Sequence, residues 1–254
     1  MKITLIGTGS GLASPNRSHA AVLVEVGDTV VLLDAGEGTT SAMLRAKADP
    51  NRISSIIITH THHDHCGGVP GLIQYMHLTG RTAPLDIFLP KESIGAFQLY
   101  LNMVYLISDK LSFAFDLHGW EQGMIFSKDD FRVEAHLTQH LKPAKTIAES
   151  LGLGTRSAAL VVDGGGKRVV YSSDLGGITD LGDLPKQADL LIMECTHIPL
   201  DTIMEAVSGW GARRVLLTHI PPELEDKRLA LRELAWKWGV TSIEFAQDGQ
   251  GVFV

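Results

Sequence analysis

The sequence predicts an α+β chain in which two β-sheets pack face to face, with helices outside them and polar side chains gathered at a common rim. Three observations predict it. Short runs rich in Val, Ile and Leu form hairpin signals in both parts of the chain, at Gly27-Asp28 and around Asp163-Gly164-Gly165-Gly166. The two halves repeat a similar pattern, hairpin then helix then strand, and meet near residue 150. Four separate apolar strands finish on His140, Asp174, Glu194 and His219. One polar residue after a strand is ordinary, but four that can all carry chemistry imply a shared site.

Lys2 to Ile6 opens the chain as a strand and runs into Gly7-Thr8-Gly9-Ser10-Gly11. That loop has the look of a dinucleotide fingerprint, yet strands follow it: Ala20 to Val26 and Thr29 to Leu33. A bound phosphate needs a helix N-terminus at that point, so the dinucleotide reading fails on context. After Asp34-Ala35-Gly36-Glu37-Gly38, Thr39 to Lys47 reads as a helix, and Ile53 to Ile58, ending in three isoleucines, as a buried strand. Pro70 to Leu78 is helical, Leu85 to Leu89 a short strand, Ile94 to Ile107 a helix, and Phe113 to Leu117 and Met124 to Phe126 strands. From Phe131 to Leu137 the alternation puts Phe131, Val133, Ala135 and Leu137 on one face. Ser157 to Val162 and Arg168 to Tyr171 pair as a hairpin, and Leu190 to Met193 and Val215 to Leu217 add strands. With no repeat, low-complexity segment or Pro-rich linker, residues 1–254 read as a single domain.

The densest chemistry follows the isoleucine strand: Thr59-His60-Thr61-His62-His63-Asp64-His65, closed by Cys66-Gly67-Gly68. Four of the chain's eleven histidines stand here, which makes an accidental cluster or a mere helix cap a poor explanation. Imidazoles and a carboxylate suit zinc and its first-row neighbours, and no cysteine pair competes for the metal. In extended chain His60 and His62 point to one side and can grip one ion. Asp64 and His65, beyond the turn, can face a second ion.

Composition narrows the partners. Hydrophobic residues are 44% and charged residues 20% of the chain, an ordinary globular mix, and the formal charge of −7 argues against a broad basic surface for nucleic acid. Two cysteines, Cys66 and Cys195, offer no disulfide framework and fit a reducing cytoplasm. No signal-peptide pattern opens the chain, and no apolar run approaches the roughly 20 residues of a membrane span.

At this point the motifs resemble a known family. The run HTHHDH, followed by His140, Asp174 and His219 at strand ends, is similar to the metallo-β-lactamase superfamily. The opening GTGSGLASPNRSHAAVLVEVGDTVVLLDAGEG, the segment DHCGGVPGL and the late LTHIPPE resemble its ribonuclease Z-like branch. The resemblance implies a four-layer αβ/βα sandwich with two divalent ions, zinc first and manganese or iron as alternatives. It assigns His60, His62 and His140 to one ion, Asp64, His65 and His219 to the other, and Asp174 to a bridge between them. It gives His63 no ligand role and implies a possible homodimer. In this branch a Glu in a short HEAT motif orients a His that protonates the leaving oxygen. LIMECTHIP supplies Glu194, with Met193 in place of the motif's first His, and His197 is either the acid or an ordinary loop residue. The long arm that grips tRNA in ribonuclease Z has no counterpart in the short connection Leu141 to Gly154, so authentic tRNA 3′ processing is not expected.

The implied function is a dinuclear zinc phosphodiesterase acting on a small or short phosphodiester, with hydroxide bridging ions about 3.5 to 4 Å apart. Asp64 would help orient the nucleophile, and Glu194 and His197 would serve the leaving group. Asp34 and Thr218 are candidates to hold ligand imidazoles in one tautomer, although Asp34 reads equally as a turn residue. A carboxylic-ester, thioester or lactone hydrolase on the same centre, and a metal-holding protein that binds a metabolite without hydrolysis, are the alternatives.

Overall fold

The computed structural model describes residues 1–254. Its first stretch contains β1 (Lys2–Gly7), β2 (Ala21–Val26), β3 (Thr29–Leu33), α1 (Thr39–Arg45), β4 (Ser55–Ile57), α2 (His63–Cys66), α3 (Val69–Leu78), β5 (Leu85–Pro90), α4 (Ile94–Met103) and β6 (Phe115–Trp120). Then come β7 (Gly123–Lys128), β8 (Phe131–Leu137), α5 (Lys145–Ser150), β9 (Ala158–Gly164), β10 (Lys167–Tyr171), β11 (Leu190–Glu194), α6 (Leu200–Trp210), β12 (Val215–Thr218), α7 (Arg228–Lys237), β13 (Ile243–Phe245) and β14 (Gln250–Phe253).

The strands form two seven-stranded sheets, ordered β14-β1-β2-β3-β4-β5-β6 and β13-β12-β11-β10-β9-β8-β7. Read outward from β14 and from β7, both sheets have three antiparallel pairings followed by three parallel ones. The two halves thus share a strand plan that carries no visible sequence repeat. They meet between Trp120 and Gly123, where the first sheet ends and the second begins, and not near residue 150. The β9-β10 hairpin obscured this, because it sits in the middle of the second sheet.

Side chains alternate along the central strands, and both faces are buried. Val22, Val24, Val31, Leu33 and Ile57 meet Phe131, Val133, Leu160, Val162 and Ile192 of the other sheet in one apolar cluster. Leu23, Leu32, Ile56 and Ile58 point the other way, onto Met43 of α1 and Leu72, Ile73 and Met76 of α3. The opposite sheet packs Val170, Leu191 and Leu217 against Ile203, Met204 and Val207 of α6 and Leu231 of α7. Helices, sheet, sheet, helices is the four-layer α+β sandwich expected.

Some boundaries differ from expectation. The helix expected over Ile94 to Ile107 stops at Met103, since Tyr105 takes a left-handed φ of 62° and a separate 3₁₀ turn covers Ser108–Lys110. Leu137 does not join the buried face of β8 but is 40% exposed, because the strand ends there at the rim. No helix is long and apolar enough to cross a membrane.

Candidate metal centre

The strands β3 to β6 run parallel to one another in one sheet and β10 to β13 in the other, and the polar residues lie at carboxyl ends of these strands, where open sheets characteristically bind ligands. Asp34 follows β3, the His60 to His65 loop follows β4, Asp174 follows β10, Glu194 closes β11 and His219 follows β12. Asp34, Ser173 and His219 each take positive φ, at 56°, 47° and 52°. Such backbone costs about 1–3 kcal/mol per residue, and here it turns the chain sharply out of three strands into one place.

Glycines hold the histidine loop against the β3 end. The Ala35 N–H donates to the His65 carbonyl at 2.7 Å, and the Gly68 N–H to the Ala35 carbonyl at 2.8 Å. A Cβ on Gly36 would lie 2.1 Å from the Asp64 carbonyl oxygen, and one on Gly68 would lie 2.1 Å from the Gly36 carbonyl oxygen. Only residues without a side chain permit this approach.

Two groups of ligand atoms converge. In the first, His62 Nδ1 lies 3.1 Å from His60 Nε2 and 3.1 Å from His140 Nε2, with Asp174 Oδ2 3.4 Å from the latter. In the second, His219 Nε2 lies 3.0 Å from Asp64 Oδ2, and His65 Nε2 lies 3.2 Å from Asp174 Oδ1. All seven residues expected from the sequence are brought together, and the two Asp174 oxygens face different groups. Ligands about 2.0–2.1 Å from a tetrahedral ion stand roughly 3.3 Å apart, so these separations suit a cation in each group. His65 Nε2 and Asp174 Oδ1 are buried yet hydrogen-bond to nothing, which a cation between them would explain. His63 is exposed and belongs to neither group.

The electrostatics agree. Burial, joined by neighbouring imidazoles, pushes His60 well below its usual pKa and His140 down to about 4, and burial lowers His62 also. These three rings are neutral near pH 7 and offer lone pairs. Burial opposes charge on Asp174 and Asp64, but His65 and His219 keep Asp174 well below the ordinary carboxylate range, as they do Asp64. Burial also opposes charge on His65, but Asp174 and Asp34 raise its pKa well above the usual value, so this position favours a cation. Burial with Asp34 and Asp64 nearby pushes the Cys66 thiol up to about 12, and Cys66 stands in neither group.

Glu194 is fully buried and accepts the N–H groups of Leu175 (3.1 Å), Thr196 (2.9 Å) and His197 (2.8 Å). Its Oε1 also meets His197 Nδ1 at 3.1 Å, and this bond raises the His197 pKa in spite of partial burial. The His197 ring lies between the groups, 4.7 Å from that of His140 and 5.5 Å from that of His219. Glu194, His197 and His219 form a third cluster of ligand type, but the Glu194 oxygens already serve three amides, so it is a weaker candidate for an ion.

Asp34 is both a turn residue and a histidine partner: its Oδ2 accepts His65 Nδ1–H at 2.8 Å. Thr218, expected as a second such partner, is not one. Its carbonyl accepts the Cys195 N–H at 3.1 Å, while His219 Nδ1 is buried without a hydrogen bond. Nothing in the local sequence assigns a part to Thr59, Tyr171 or Ser173. Thr59 hydrogen-bonds Asp34, His60 and Ser173, and the Tyr171 hydroxyl donates to Asp34 at 2.9 Å. Its place immediately before the His-X-His run was the one available signal for Thr59.

The family model described as anti-Pycsar protein Apyc1 matches residues 1–206. The chain belongs to that family. It is also a ribonuclease Z-like member of the metallo-β-lactamase superfamily, as the motifs indicated. A ribonuclease Z of Methanosarcina mazei is 36% identical, with 89% of each chain covered. One of Methanothermobacter thermautotrophicus is 26% identical over 96% of this chain and 94% of its own. Among solved structures, the metallo-β-lactamase fold protein YhfI of Bacillus subtilis superposes with a TM-score of 0.79 at 22% identity, covering 99% of this chain and 98% of that one.

Proposed function

We propose that this metal-dependent hydrolase is a dinuclear zinc phosphodiesterase, its single domain spanning residues 1–254, acting on a small or short phosphodiester. The observation that carries the reading is Asp174, whose two oxygens each complete a separate group of histidine and carboxylate ligands. His60, His62 and His140 would hold one ion, Asp64, His65 and His219 the other, with Asp174 shared. Bound there, divalent ions supply Lewis acidity, bringing the pKa of water toward neutrality and drawing charge from phosphoryl oxygens. Asp64, the most accessible of the carboxylates in the two groups, accepts from and orients the attacking water. His197, kept protonated to higher pH by Glu194, gives its proton to the leaving oxygen.

A small substrate is favoured by the surroundings. A cavity of about 370 Å³ adjoins His62, lined by Phe97, Tyr100, Leu141 and Leu153 with Glu92 at its edge. That is the size of a small-molecule site. Leu141 to Gly154 forms only a 3₁₀ turn and the six-residue α5, with nothing comparable to a tRNA-gripping arm. The exposed Leu99 and Met103 of α4, with Tyr105 just beyond it, support a homodimer. Two free, buried cysteines suit a reducing cytoplasm.

Zinc-loaded protein should be assayed against bis(p-nitrophenyl) phosphate and a panel of lactones and thioesters. Turnover of the diester supports the proposal. Turnover of lactones or thioesters alone would replace it with an ester hydrolase, and silence against all would favour a metabolite-binding protein.

A further inference from the structure

We propose that Thr59 extends to His60, in one metal-holding group, the orienting influence of a buried carboxylate, Asp34, that reaches His65 of the other group directly. The proposal rests on the two-ion reading above. Hydrogen bookkeeping supports it. His65 turns Nε2 toward its group, so its proton is on Nδ1 and is donated to Asp34 Oδ2 at 2.8 Å. His60 likewise turns Nε2 inward, and its Nδ1–H donates to Thr59 Oγ1 at 3.1 Å. A hydroxyl has one hydrogen and two lone pairs. Thr59 gives its hydrogen to Asp34, 2.9 Å from either oxygen, and accepts from His60 and from Ser173 Oγ at 2.7 Å. Every position on the hydroxyl is then used.

Asp34 is equally saturated. It accepts the Thr59 N–H at 2.8 Å, the Thr59 hydroxyl, the His65 ring and the Tyr171 hydroxyl at 2.9 Å, four donors for about four lone-pair sites. Asp34, Thr59, His60 and His65 are fully buried, and Tyr171 and Ser173 are 2% exposed. No solvent can replace a missing link there, so the loss of one hydroxyl is felt at the ring it orients. Thr59 is a positioning residue: its hydroxyl serves His60, while His65 reaches Asp34 without it. Cutting this one link uncouples His60 from Asp34 and leaves His65 bound to it.

Thr59→Val keeps the shape and the backbone N–H but removes the hydroxyl, and Thr59→Ser keeps the hydroxyl. Zn²⁺ affinities would be measured by competition with a chromophoric chelator, alongside ¹⁵N-histidine NMR of the zinc-loaded protein. For Thr59→Val the expectation is a 10- to 100-fold loss at one site, an unchanged second site, and loss of the His60 Nδ1–H signal while that of His65 persists. Thr59→Ser should restore both. Asp34→Asn, which disturbs both links, should weaken both sites, and it tests the idea even if Thr59→Val does not fold. Unchanged affinities in Thr59→Val, or weakening of only one site in Asp34→Asn, would overturn the proposal. A wild-type chain that takes up fewer than two Zn²⁺ would instead refute the two-ion reading on which it rests.

Discussion

Replacing His197 by alanine tests the mechanism at its most exposed point. The ring is fixed through Glu194, itself held by three amides and fully buried, so the acid is positioned before substrate arrives. General acids contribute about 10²- to 10⁴-fold, or about 3–5 kcal/mol of barrier. An alkyl leaving group needs that proton, whereas p-nitrophenolate departs without it. His197→Ala should therefore lose at least about 100-fold in kcat/KM on an alkyl diester and under about tenfold on a p-nitrophenyl diester, at unchanged zinc content. The pH profile carries a sign. Glu194 raises the His197 pKa, so the acid form is complete below the usual histidine value and is lost as pH rises through the raised one. Activity on alkyl diesters should fall on that alkaline side, and Glu194→Gln should move the fall to lower pH. Equal losses on both substrates, or loss of zinc, would refute the reasoning.

Protein prepared without chelator should contain more than one equivalent of metal by elemental analysis, and His62→Ala should reduce it and abolish activity while thermal unfolding stays cooperative. Asp34→Ala strands the N–H and hydroxyl of Thr59, His65 and Tyr171 in a buried site, and denaturant titration should show a loss of about 3–5 kcal/mol. Gly68→Ala would drive a methyl into the Gly36 carbonyl, so Zn²⁺ titration should show weakened binding through displacement of the histidine loop. Ile57→Ala, between the sheets, should cost about 2–5 kcal/mol in urea unfolding without altering metal stoichiometry.

The hairpins, the isoleucine strand and the strand-end polar residues were legible because each is local: turn glycines, periodicity and ligand spacing all act within a few residues. The candidate ligands were legible for a second reason, since His60, His62, Asp64 and His65 fall within six residues and the distant His140, Asp174 and His219 each follow a recognisable strand. The tertiary structure decided what depends on remote backbone. It set the boundary between the sheets at Trp120 and Gly123, because pairing partners and not local pattern define a sheet. It also made Thr59, Tyr171 and Ser173 part of the site, since hydrogen bonds spanning 114 and 137 residues leave no mark on nearby sequence. Thr218 shows the converse: a hydroxyl-bearing residue next in sequence to a candidate ligand makes no hydrogen bond to its ring, and only the folded backbone tells the two cases apart.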